Sequence, residues 1–146
     1  MSEQTRNSSE RDILSEVFGS HYPRGDVFFS GVLCGTSHHK GRDDQPEEQQ
    51  GMLHVLQSGS VRILLNGKEH VKLDRPGVVL LGKPIPHEIE TPESGSNLVC
   101  AYLQFPNPGP TPARLGLPGC LVLPFDEVPG LEPVTGQLFL EAFAHQ

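Results

Sequence analysis

The chain has 146 residues, enough for one domain with a real hydrophobic core and too few for two of ordinary size. Sixteen glycines and fourteen prolines, about one residue in five, force frequent turns and exclude a fold of long helices, so an all-β architecture is expected. A formal charge of -7, with eighteen acidic against eleven basic residues, argues against a phosphate-binding surface, because nucleic-acid affinity rests on clustered Lys and Arg releasing counterions; DNA binding by this chain alone is not expected.

Residues 1–10 are polar and aperiodic, and 1–11 are read as a disordered arm ahead of a domain spanning 12–146. The opening MSEQTRNSSERD lacks the apolar core of a secretory signal. No segment approaches the run of about eighteen apolar residues that a membrane helix needs, and a soluble cytoplasmic protein is expected. ILSEVF (13–18) places Ile13, Leu14, Val17 and Phe18 on one face of a short helix. DVFFSGVLC (26–34) reads as a strand. TSHHKGRDDQPEEQQG (36–51) carries no large apolar side chain and reads as an exposed, mobile loop.

From residue 52 onward turn signals separate short β-like runs: MLHVLQ, SVRILL, KEHVKL and VVLL. Asn66-Gly67 is a strong hairpin signal, since both central residues of a type I′ turn need positive φ. NLVCAYLQF (97–105) and GCLVLPF (119–125) are further strands, joined by a proline-rich connector. LEPVTGQLFLEAFAHQ sets Val134, Leu138, Phe139 and Phe143 near one helical face and stops without a cap, as a helix cut short would. Seven or eight short strands suggest a sandwich or barrel, with a jelly roll as the form that leaves an internal pocket. Cys34, Cys100 and Cys120 lie in apolar surroundings without C-x-x-C spacing, and read as buried thiols.

LHVLQSGSVRILLNGKEHVKLDRPGVVLLGKPIPHEI resembles the middle of a cupin, where a strand and Gly turn lead to a Gly hairpin, a Pro-Gly turn, an apolar strand and a histidine. With His54 five residues before Gly59, the later LVCAYLQF, and a Leu-Pro ahead of an apolar strand, residues 12–143 resemble the cupin-type sensor domain of AraC-type transcription regulators. The resemblance implies a double-stranded β-helix (jelly roll) with short N-terminal and C-terminal helices, a small-molecule effector and a homodimer. It implies a DNA-binding half that these residues do not contain. In metal-holding cupins the first motif places two histidines and a glutamate at positions held here by Gln45, Glu47 and Met52, and Val78 stands where the second motif usually has Asp. The second motif's Gly-to-His spacing is also one residue short. Of four expected ligands only His87 survives, and one imidazole cannot hold a divalent transition metal, so neither metal nor cofactor is expected.

His54 shares the strand face of Met52 and Leu56 and is expected to point inward, towards His87, in a cavity lined by Met52 and Leu56. The alternative is a core histidine satisfied by backbone. His38-His39 could fold over this pair, but surface His-His pairs are more often solvated. Tyr102 and Gln104 alternate with Ala101, Leu103 and Phe105, and either face can border the pocket. Val61, Ile63 and Leu65 form the inward set of their strand, which turns Arg62 outward, and alternation makes Glu88 and Glu90 solvated. The leading expectation is a metal-free, effector-binding and dimerising domain with no catalytic residues. A stand-alone cupin enzyme of dioxygenase or isomerase type, with His54 or His87 as base, and a metal-free binding module are the alternatives.

Overall fold

The computed structural model describes residues 23–117 and 119–127. The arm at 1–11, the helix expected at 13–18 and the helix expected near the C-terminus lie outside the described residues. Seven strands follow in chain order: β1 (Arg24–His39), β2 (Gln50–Ser58), β3 (Val61–Leu65), β4 (Lys68–Leu73), β5 (Gly77–Leu81), β6 (His87–Gln104) and β7 (Leu121–Pro124), with one 3-10 turn at Glu47–Gln49. They form one antiparallel sheet in the order β4-β3-β6-β2-β5-β7, with β1 along β6. The sheet curls into a nearly closed barrel in which β4 approaches β7, the jelly-roll architecture the strand pattern suggests.

Turn chemistry sets the register. Asn66 and Gly67 have φ of 53° and 76°, the left-handed pair a type I′ hairpin needs, and they join β3 to β4. Gly59, at φ +90°, turns β2 into β3, and a Cβ there would stand 2.4 Å from Ser96 Oγ. Ser96 occupies that space because its hydroxyl donates to Ser60 O at 2.6 Å and accepts from Ser60 N at 3.0 Å.

β2 and β5 are buried on both faces, which is why they read as unbroken apolar runs rather than alternating ones. One face of β2 sends Met52 and Leu56 into the barrel with Val61, Ile63, Val79, Leu81, Ile89 and Leu98. The other sends Leu53 and Val55 outward under Phe105, Leu117, Leu121 and Leu123. The connector after β6 therefore covers the back of the sheet.

Four expectations need correction. Residues 36–51 are not one mobile loop: β1 runs on through His39, and Gln49 and Gln50 are buried. The Gln50 amide accepts from Arg42 N and donates to the carbonyls of Arg42 and Gln45, while Gln49 Nε2 donates to Pro106 O, so amide groups fasten a segment that has no apolar side chain to bury. β6 begins ten residues before the expected strand, because HEIETPESGS pairs with both β1 and β3. A register shift between Ile63 and Leu64 buries Leu64 and leaves Leu65 half-exposed, the reverse of simple alternation. Cys34 is exposed and Cys120 half-buried; only Cys100 is a fully buried thiol.

Candidate functional site

The segment GKPIPH delivers His87. Pro84 and Pro86 have no N–H to give, so Ile85 between them bonds back to Lys83 O at 2.8 Å, and its own carbonyl is left for a side-chain donor. His87 Nδ1 takes it at 2.7 Å. The ring is thereby fixed at the first position of β6, aimed into the barrel. His54 reaches the same point from β2, where its backbone lies between Val79 of β5 and Cys100 of β6. The two rings meet with Nε2 to Nε2 at 2.9 Å.

These contacts assign the tautomers. A carbonyl only accepts, so His87 Nδ1 carries the hydrogen and, in the neutral ring, His87 Nε2 offers a lone pair. His54 Nε2 must then be the donor in the bond between the rings, and His54 Nδ1 is left with a bare lone pair. That atom is buried and has no hydrogen-bond partner among the described residues. A polarised chain results, running from His54 through His87 to the Ile85 carbonyl, with an unmet acceptor at its inner end.

A third imidazole completes the group. His39 lies directly opposite His87 in the β1–β6 register and stacks on it with ring centroids 5.6 Å apart, while its centroid is 5.7 Å from that of His54. Its Nε2 is 2.6 Å from Ser37 Oγ. Phe28 is the residue left out of the β1–β6 register by a shift between Val27 and Phe29, so Phe28 and Phe29 both pack on the inner cluster. Phe28 meets His39 at 5.4 Å, presents its edge relation to His54 at 6.5 Å and packs on Tyr102 at 4.4 Å. Over Tyr102 lies the Arg42 guanidinium, 5.8 Å from the ring centre and held by Asp26 at 2.9 Å.

All three imidazoles are neutral at pH 7. Burial, then the neighbouring His87 and His38, pulls His39 from 6.5 down to about 4. Burial, then His87 and His39, holds His54 well below its ordinary value. Burial lowers His87 as well, against the opposing pull of its bond to the Ile85 carbonyl. Outside His39 and His87 lies a cavity of about 380 Å³, walled by Leu64 and Pro86 and rimmed by His38, Lys40, Asn66 and Glu88.

Thus His54 and His87 are brought together, but Met52 and Leu56 are not cavity walls: both are fully buried in the inner core, and the cavity opens on the other side of the pair. Tyr102 belongs to the aromatic layer behind His39, and Gln104 lies away from it at the far end of β6 with its Oε1 buried and without a partner among the described residues. Arg62 is half-exposed and paired with Glu69 and Glu90, and Glu88 is half-exposed at the rim of the cavity. Sequence reading missed Phe28, because a bulge breaks the period-of-two count. It also set His39 in a loop, although Thr36 and Ser37 are compatible with a strand that continues.

A metal of the kind the fold often carries does not fit this site. Met52, at the glutamate position, is buried in the apolar core, Glu47 is exposed in the 3-10 turn, and Gln45 contributes its carbonyl to Gln50. His54 and His87 supply two nitrogens, His39 Nε2 is engaged by Ser37, and no group of three His, Cys, Asp or Glu donors among the described residues is arranged to hold a metal ion. A family model described as Cupin matches residues 12–146. Neither the curated proteins nor the solved structures yield a significant match.

Proposed function

The chain belongs to the cupin family, and from that premise we propose that it is a small-molecule-binding domain, and more finely the effector-sensing and dimerisation domain of an AraC-type transcription regulator. The observation that carries the binding reading is the hydrogen-bonded His54–His87 pair, of which His87 lines a cavity together with His39, Leu64 and Pro86 under a polar rim. Small-molecule sites are hollows of about 300–1,000 Å³ in which placed polar groups fix the orientation of the ligand. The regulator reading is supported by the ordered resemblance of residues 12–143 to such sensor domains. A cytoplasmic location and a homodimer belong to the same reading. Among the described residues no helix is long and apolar enough to cross a membrane.

Two measurements test it. Reading frame beyond Gln146 that encodes two helix-turn-helix units is the expected result, and a stop codon there removes the regulator role. Sedimentation is expected to show a dimer at micromolar concentration, and a chain that stays monomeric to high micromolar concentration argues against the dimerisation role.

A further inference from the structure

We propose that the ligand of this cavity is a small organic carboxylate, and that it binds together with a proton taken up by the imidazole cluster. The inference rests on the reading of the cavity as a ligand site and goes further in naming the chemistry. Among the described residues the hydrogen bonds of the three rings run to Ser37, to Ile85 and to one another, so the cluster holds three basic groups without a counter-charge bonded to any of them. A proton arriving alone would create an unbalanced charge inside the barrel, which burial and the neighbouring rings oppose. A carboxylate beside His39 and His87 supplies the missing opposite charge. The lone pair at His54 Nδ1 gives the proton a position that breaks no existing hydrogen bond, and the charge is then shared through the His54–His87 bond.

At the rim one cation, Lys40, is available to an anionic ligand. From β1 and the residue after it the cavity is faced by His38 and Lys40, from the β3–β4 turn by uncharged Asn66, and from β6 by Glu88. Behind the rings stand the Cys100 thiol, which burial pushes up to about 12, and the Tyr102 phenol. Among the described residues Lys40 is paired with the highly exposed Asp43 at 3.7 Å, a pairing a sheltered carboxylate can displace. Glu88 is the one opposing charge, and its Oε1 is 3.9 Å from His38 Nδ1. Leu64, Pro86 and a volume of about 380 Å³ require a carbon body and disfavour a bare inorganic anion.

The sign follows from linkage. The free cluster binds no proton at neutral pH and the complex binds one, so affinity rises as pH falls, by up to about tenfold per pH unit. The test is calorimetric titration of the full chain with benzoate and hexanoate, and with their primary amides, in buffers of different ionisation heat between pH 6.5 and 8.5. Expected are carboxylate binding with net proton uptake, affinity lost as pH rises, at least tenfold weaker binding of the amides, and severalfold tighter carboxylate binding in Glu88→Gln. Nitrogen-15 spectra are expected to convert His54 Nδ1 from a bare to a protonated signal. Amides that bind as well as the acids, or acids that bind without a proton, overturn the carboxylate class and leave the ligand cavity standing. If none of the four compounds moves the His39 or His87 signals, the ligand site itself is overturned.

Discussion

Replacing His54 by leucine removes a buried polar side chain from the centre of the barrel, and the structure predicts that the protein tolerates it. The lost bond to His87 is worth about 0.5–1.5 kcal/mol net, whereas the unmet lone pair at Nδ1 costs about 1–3 kcal/mol where it stands. Leucine is close in volume and falls among Met52, Leu56, Val79 and Cys100 in the same apolar cluster. Loss of the His54 donor leaves the buried His87 Nε2 lone pair unpartnered at a similar cost of about 1–3 kcal/mol, so the net at pH 7.5 is close to zero, within about 2 kcal/mol either way. Acid widens the gap. The folded His54 titrates well below its unfolded value of 6.5, so below pH 6.5 the unfolded chain binds a proton that the fold excludes. That stability is fully present above 6.5 and is lost as pH falls, at up to about 1.4 kcal/mol per pH unit. Leucine carries no such group, and between pH 7.5 and 5.5 the variant should gain roughly 1 kcal/mol on the wild type. Urea denaturation of both proteins at the two pH values measures this. A variant destabilised by more than about 2 kcal/mol at pH 7.5, or a gap that does not widen in acid, would refute the tautomer chain.

His87→Leu should cost more, about 2–4 kcal/mol in the same assay, because it leaves the His54 Nε2 hydrogen unpartnered beside an already unpartnered Nδ1 and also takes the donor from the Ile85 carbonyl; equal stability of the two leucine variants contradicts this. Gly59→Ala forces a side chain into the left-handed region and against Ser96, and a loss of about 2–5 kcal/mol is expected, with a shift in denaturation midpoint as the check. Cys34 should react with a thiol reagent in the native protein, while Cys100 and Cys120, whose thiols burial raises to about 12 and about 11, react only on unfolding; mass spectrometry of the labelled chain decides it.

Several features were legible from residue order alone, because the interactions behind them are local. Asn66-Gly67 defines its hairpin through φ values that few other residues adopt, and KEHVKL is observed over the same six residues. Period-of-two counting set His54 on the face of Met52 and Leu56, and that face does enter the barrel. The cupin pattern, spread over strands and Gly turns, carried the fold class in the same way.

What tertiary structure decided lies at positions where the count is broken or where partners are far apart in the chain. The bulge at Phe28 puts two consecutive aromatic rings on one face, and no propensity records that. The fate of residues 36–51 depends on the Gln49 and Gln50 amides finding carbonyls, one of them on Pro106, 57 residues away. His39 joins the cluster only because β6 starts at His87 and runs beside β1, a pairing of residues 48 apart in sequence that the polar HEIETPESGS conceals. The bare lone pair on His54 is the furthest removed from sequence: it exists because a carbonyl between two prolines orients His87, and His87 in turn dictates which nitrogen of His54 holds the hydrogen. Local chemistry placed only His54 on a strand, and the curl of the sheet brought three imidazoles to one point and left one acceptor unmet.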